Sequence, residues 1–575
     1  MNTNQLRQPK NRIHTSFIRA CAGILLLRAL ITTLLPDNFI YIKDQFADML
    51  ISGLILVLFL IFSVKKYADK ANPFRSHFNL PIWLLLLACW VSLIRSADFS
   101  QSLYCVIPMT SYVLFFYILK DSLKTQGSLR TFWPYAIACI VAVIIFALWE
   151  YFVLKNPDLP PPTTIFGPFV YKRVGSVFQL PNALAGFLML SIPLIWASIL
   201  LTSKQWLRRL LTLLLILTLV TYLMSFSFLC TVNFIISILF LTPLLLKDWF
   251  KRNLNKKAFA LLALSILTFL LLIIWIRPDL SLTARWEYLK TAFALLQNNP
   301  WTGSGLATFD IVNRKFVSYV LGYSAYVHNS YLQLWVETGL LGLMAGILLI
   351  VSFIKAARRA LEKISKPQER ILLVALIWSI GAFLLDNMTN FTLLRHSVSL
   401  FFWSALAGFC AFTEDNDTTV SQPKNYHGVM TLFLVGILTL LLVTTTLSMS
   451  LLNYRQGMRS LMQNDLKGAR DYFKKAEKYN PADYHCASGS GFVSIRQYFL
   501  SRSSQDLDDA SRHFQRATRL SPHSDRSYEI LSSIALERGD KTAAEAYHLQ
   551  AASLSPFAYR FKERAKTSNT TTNTK

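Results

Sequence analysis

Apolar runs of eighteen or more residues recur along this chain from about residue 17 to residue 451, and no other feature narrows its fold so far. A run of that length crosses a bilayer as a helix, because in hydrocarbon every backbone N–H and C=O must find its partner within the segment. About thirteen spans can be placed, near 17–35, 45–64, 79–95, 103–120, 131–153, 180–202, 208–226, 229–247, 257–276, 333–354, 370–389, 396–413 and 428–451. The expected fold is therefore all-α, a polytopic helical membrane protein. Composition agrees: 16% of the 575 residues are charged, against about a quarter in a soluble domain. The first run lacks the small-residue cleavage pattern of a signal peptide and reads as a first span.

The basic residues fix an orientation. Arg7, Lys10 and Arg12 precede the first span, Lys65, Lys66, Lys70 and Arg75 follow the second, and Lys120, Lys124 and Arg130 follow the fourth. Lys204, Arg208 and Arg209 follow the sixth, Lys247 to Lys257 the eighth, and Lys355 to Arg370 the tenth. These loops share one side, which the positive-inside bias makes cytoplasmic. The acidic loop after the twelfth span, with Glu414, Asp415 and Asp417, departs from the trend. The N-terminus is then cytoplasmic, while the long loop 277–332 and everything after residue 451 face outward. The net charge of +26 is explained by these short loops, and no basic patch with interleaved aromatics points to nucleic acid. Seven cysteines include no CxxC pair, so neither a disulfide framework nor a zinc site is expected.

Residues 452–565 change character, with more charge and apolar residues at helical spacing. Ala469, Phe473, Ala476 and Pro481 recur as Ala510, Phe514, Ala517 and Pro522, then as Ala544, His548, Ala551 and Pro556. Small alanines let paired helices approach and the proline stops the second helix, a pattern that resembles the tetratricopeptide repeat. About three units would make a small α-solenoid able to hold a protein partner; a plain helical bundle is the alternative. Residues 566–575 read as a disordered polar tail.

Candidate chemistry gathers between Asn299 and Gly342, where NPWTGSGLATF is followed by HNSYLQLWVETGLLG. A lone histidine is commonly structural. His328 stands apart because it is outward by topology, sits at the rim of a span, and carries a group that titrates near neutrality. Arg285 and Arg173 are outward arginines at membrane rims, where positive-inside statistics do not favour them; Arg395 is a weaker third. A guanidinium offers paired donors to phosphate and stays charged at low dielectric. Glu337, with Asp310 and Glu287, is a candidate to orient the histidine, or Glu337 simply favours a helix start. Gly303 and Gly305 permit a tight turn. No carboxylate pair has spacing that demands a metal, and no GxxxxGK[ST] loop occurs, so neither a metal nor ATP is expected.

With these residues in view, residues 15–450 resemble the O-antigen ligase and O-antigen polymerase superfamily. The resemblance rests on NPWTGSGLATF followed by HNSYLQLWVETGLLG, on RVGSVFQLPNALAGFL before the sixth span, and on Arg285 with Trp286 upstream of the Gly-rich turn. One departure is visible: many relatives carry a Ser-Arg pair where this chain has Ser227 and Phe228. The resemblance implies a GT-C-like membrane glycosyltransferase of the bacterial inner membrane (1–451), with a periplasmic repeat domain (452–565). It implies a metal-independent, inverting transfer, with no cofactor, of a glycan from undecaprenyl pyrophosphate to a hydroxyl of the lipid A-core. His328 would be the base, Arg285, Arg173 and Arg395 would hold the pyrophosphate, and Asn329, Glu337, Gly303 and Gly305 would support them. Polymerase or protein O-oligosaccharyltransferase activity on the same donor are alternatives. A transporter for the lipid-linked glycan is a further class, disfavoured because span centres other than at Arg28 are nearly free of charge. The orientation is checked by fusion to alkaline phosphatase: a fusion after residue 565 should be active, and one in the 65–78 loop inactive.

Overall fold

The computed structural model describes residues 8–34, 40–124, 128–153, 163–166, 169–245, 264, 268, 280–317, 324–414 and 426–559. Among them nine helices are long and apolar enough to cross a membrane, from Asp44–Ala68 to Tyr426–Met462. Two shorter apolar helices are Asn79–Arg95 and Phe228–Leu239. The expected span near 257–276 and the tail 566–575 fall outside the described residues. Among the described residues the regular structure is helical apart from one antiparallel hairpin, Thr163–Phe166 with Phe169–Lys172. All seven cysteines are buried and none forms a disulfide.

The chain divides into two compact units. The first comprises Met1–Trp83, Pro108–Pro278 and Gly346–Leu441. At its centre the Pro181–Leu201 helix packs against Pro367–Asp386. The former starts where the sequence says it should: Leu180 is extended, and Pro181, which has no N–H to lose, takes the first turn. Phe187 meets Phe401 edge-on at 4.8 Å, a geometry that ring quadrupoles favour. Arg28, 2% exposed, is answered by Asp48 at 2.8 Å and Asp44 at 3.8 Å, and Tyr112 donates to Asp48 at 3.1 Å. A charge so placed is tolerated only with partners of this kind.

The second unit comprises Leu84–Ile107, Asp279–Ala345 and Leu442–Lys575. It gathers the loop that carries His328 and the C-terminal helices. Those helices are Leu466–Tyr479, Tyr484–Ser501, Ser504–Leu520, Asp525–Glu537 and Lys541–Leu554. The repeated alanines and phenylalanines fall on alternate helices and are buried: Ala469, Phe473 and Ala476, Ala510, Phe514 and Ala517, and Ala544 and Ala551, whereas His548 in the third set is exposed. Glycines on the intervening helix give the rings room, since a Cβ on Gly489 would come within 2.6 Å of Phe473 and one on Gly491 within 2.6 Å of Phe514. These pairs rest on nonlocal close approach, which glycine alone allows.

The Ser330–Lys363 helix is broken at Gly339, where φ is 72° and ψ is −173°. The break lets the turn 299–308 press against it. A Cβ on Gly339 would overlap the carbonyl of Trp301, and one on Gly303 would overlap the carbonyl of Glu337. Replacing Gly339 by Ala combines that overlap with a left-handed backbone, a strain of about 1–3 kcal/mol. Gly339→Ala should therefore lower the unfolding temperature of the purified protein by several degrees, whereas Gly428→Ala, with open space around it, should not.

Candidate functional site

The turn and the helix start are joined backbone to backbone. Ser304 N–H donates to the carbonyl of Val336 at 3.0 Å and Gly305 N–H to that of Glu337 at 2.9 Å. The Trp335 indole donates to the Pro300 carbonyl at 2.9 Å. Glu337, 1% exposed, closes the arrangement: its carboxylate accepts the N–H of Ala307 at 2.9 Å, that of Phe309 at 3.3 Å, and the Gln333 amide at 3.1 Å. Gln333 turns its own oxygen to the N–H of Val327 at 3.2 Å. Turn, helix and the residue before the histidine are thus one hydrogen-bonded body.

His328 is held between two anchors. Val327 is buried with Ala292, Leu296, Phe309, Leu332 and Val336. Asn329 caps the helix, its side chain accepting the N–H groups of Tyr331 at 3.1 Å and Leu332 at 3.0 Å, the usual service of an N-cap residue. Between them His328 has φ 58°, a left-handed conformation that few residues other than glycine adopt unless the surroundings impose it.

The Leu280–Asn298 helix carries the facing groups. Tyr288 stacks on the imidazole with ring centroids 5.4 Å apart and planes 21° from parallel. Arg285, one turn earlier and so on the same helix face, acts on both rings by its charge. Burial, reinforced by the Arg285 guanidinium, pushes the His328 pKa down to about 3. Burial also raises the Tyr288 hydroxyl, against the opposing effect of Arg285. The imidazole is therefore neutral at physiological pH, the state in which it can accept a proton. The structure brings His328 and Arg285 together, although the sequence separates them widely. Tyr288 was not singled out in the sequence. Its spacing of three from Arg285 is the signal that would have marked it.

The carboxylates considered as partners of His328 are placed otherwise. Glu337 holds the turn and reaches the histidine segment only through Gln333. Glu287 pairs with Lys290 at 2.8 Å. Burial raises the Asp310 carboxyl, with Arg314 and His485 opposing. Among the described residues no three His, Cys, Asp or Glu side chains gather as metal ligands would.

Arg173 and Arg395 belong to the first unit. Arg173 follows the hairpin, and its guanidinium donates to the Ser225 carbonyl at 3.1 Å and to Asn182 at 3.2 Å. Ser227 donates to the same Asn182 oxygen at 2.7 Å. Its local frame explains the RVGSVFQLPN pattern: Ser176 N–H bonds to Glu150 at 2.6 Å, Gln179 is left-handed at φ 61°, and Pro181 opens the helix. Arg395 ion-pairs with Asp44, which also faces Arg28.

Residues 180–347 match the family model described as O-antigen ligase. That stretch contains Arg285, Tyr288, Gly303, Gly305, His328, Asn329 and Glu337. The match supports a relationship of this stretch to the O-antigen ligase superfamily, whose members are glycosyltransferase-like ligases or polymerases. No curated protein matches the chain at a significant level.

The depressed histidine has a consequence for stability. Between about pH 6.5 and about pH 3 the unfolded chain holds the extra proton, so stability rises with pH across that window. The contribution is complete above 6.5 and is lost as pH falls. Asn tolerates the left-handed backbone, so His328→Asn should fold, and its unfolding temperature should fall less than that of the parent protein between pH 7 and pH 4.

Proposed function

We propose that this protein is an O-antigen ligase-type glycosyltransferase that moves a glycan from undecaprenyl pyrophosphate to a hydroxyl of the lipid A-core at the outer face of the bacterial inner membrane. The observation that carries the reading is the meeting of a neutral histidine, a guanidinium and a stacked tyrosine within the stretch that matches the family. His328 takes the proton of the acceptor hydroxyl as its oxygen attacks the anomeric carbon. The bond from that carbon to the pyrophosphate breaks on the opposite side, so configuration inverts in one displacement.

Arg285 holds the pyrophosphate and stabilises the charge that grows as it leaves, which is where fixed positive groups contribute most. Burial is the main cause of His328's lowered proton affinity; an anion bound there would offset the part that the Arg285 charge adds, so the base strengthens once the donor is in place. Arg173 is the second donor-binding group. Its bonds run to the 225–227 segment, directly before Phe228, where relatives often carry an arginine, and it supplies the guanidinium that Phe228 does not. Arg395 shares its charge with Asp44 and contributes less. Arginine charge at the leaving group performs the task a divalent metal performs elsewhere. Asn329, Glu337, Gly303 and Gly305 support the site by fixing the backbone on either side of His328. Residues 452–565, as a tetratricopeptide-like periplasmic domain, complete the enzyme.

The test is a gel profile of surface glycolipid from a strain lacking the gene, with lipid-linked intermediates extracted in parallel. Long chains on the carrier and bare lipid A-core at the surface are expected, and restoration by the parent protein. His328→Asn should lower transfer at least about a hundredfold, the scale of general base catalysis, and Arg285→Ala should do the same at equal abundance. Single repeat units on both carrier and core would assign the polymerase reaction, and an unchanged profile would overturn the assignment to surface glycolipid.

A further inference from the structure

The turns between the C-terminal helices make polar contacts with the Phe99–Leu123 helix and with the short turn Asn313–Phe316. At the first such turn, Asn480 donates to Ser100 at 2.7 Å and to Tyr104 at 3.1 Å, and Tyr104 donates to Asp483 at 3.1 Å. Asn480 and Asp483 are buried, as is Tyr104. At the second turn, Asp525, in the first turn of its helix, pairs with Arg314 at 2.7 Å.

Arg314 lies on the short helical turn Asn313–Phe316. Its Nε also donates to the carbonyl of Asp310 at 3.2 Å. The neighbouring Asn313, 1% exposed, donates to the carbonyl of Ser324 at 2.6 Å, and Ser324 in turn accepts the N–H of Tyr326 at 3.1 Å. Two residues further stands His328. Hydrogen bonds, joined by the backbone between Arg314 and Asn313 and between Tyr326 and His328, therefore lead from a C-terminal helix to the segment that holds the histidine in its left-handed conformation.

We infer that the C-terminal helices are a positioning element of the transfer site, and that the Arg314–Asp525 pair is the contact through which they hold the 324–329 segment. This rests on the reading of His328 as the base. Arg314 and Asp525 touch neither donor nor acceptor and act through Asn313 and the loop. A histidine displaced by a fraction of an ångström still permits donor binding but loses alignment with the acceptor hydroxyl. The effect belongs to turnover and not to donor affinity.

The experiment is transfer kinetics on the full-length protein in lipid vesicles with a lipid-linked glycan donor, beside thermal unfolding of each variant. Arg314→Ala and Asp525→Ala should each lower kcat about tenfold, a loss well within what misplacement causes, with the donor KM and the unfolding temperature close to those of the parent. Arg314→Lys, which keeps the charge, should recover most of the turnover. The exchanged pair, Arg314→Asp with Asp525→Arg, should turn over faster than either alanine variant, though below the parent because an arginine opposes the dipole at a helix N-terminus. Parent-like kcat in both alanine variants would overturn the inference. So would an exchanged pair no better than the singles, or a loss of turnover that merely tracks a lowered unfolding temperature. His328→Asn assayed alongside separates the two ideas: if it transfers normally, the base assignment fails; if it is inactive while the pair variants are normal, only the positioning role fails.

Discussion

The buried carboxylate of Glu337 is the point on which the geometry of this site depends. A carboxylate withdrawn from water is costly unless donors replace its hydration. Here three do so: two backbone N–H groups of the Gly-rich turn and the Gln333 amide. The glycines follow from this. Gly303 and Gly339 bring two backbones so close that any side chain would intervene, and only at that separation can one carboxylate reach both 307 and 309. Gln333 carries the constraint on to Val327. A group four residues along the same helix face thus couples the turn to the residue before the histidine.

His328 is aimed by its backbone. In many sites a carboxylate on the far ring nitrogen sets the direction of a histidine. Here direction comes from a left-handed φ clamped between a core valine and a helix-capping asparagine, and the ring is steadied by Tyr288. Burial keeps the imidazole neutral in the absence of substrate, and the positive charge of Arg285 reinforces it. In the proposed reaction this makes proton affinity conditional. A free site is a weak base, and an anionic donor beside Arg285 raises it where it is needed.

How far the sequence disclosed this follows from the range of each interaction. The spans are local: eighteen apolar residues are read off directly, and the helices Pro181–Leu201 and Pro367–Asp386 begin at their prolines as local rules require. The recurring alanines and phenylalanines are local too, and they fall on buried positions of alternate helices. The site is not local. Arg285 and His328 sit on different elements, so charge patterning marked each without showing that they meet. Glu337 reads from the sequence as a partner for the histidine, but the turn's backbone N–H groups, invisible to a pattern of side chains, claim its oxygens. Arg395 reads as an unexplained outward cation, yet Asp44, far away in the chain, pairs with it. Tyr288 carried no pattern until the helix face was drawn.

The C-terminal helices pose the sharper question of what they do beside the histidine segment. Helices that served only to capture a partner would keep the turns between them in water, where polar groups cost nothing. Instead Asn480 and Asp483 are desolvated against Ser100 and Tyr104, and burial together with neighbouring Asp483 and Asp310 raises the Asp98 carboxyl nearby. Desolvating that many polar groups is unfavourable unless their order is itself required. Of the segment around the histidine, Phe309 and Val327 belong to the buried cluster with Ala292, Leu296, Leu332 and Val336. In the positioning role inferred for them, the C-terminal helices supply rigidity along one edge of the histidine segment through the Arg314–Asp525 pair.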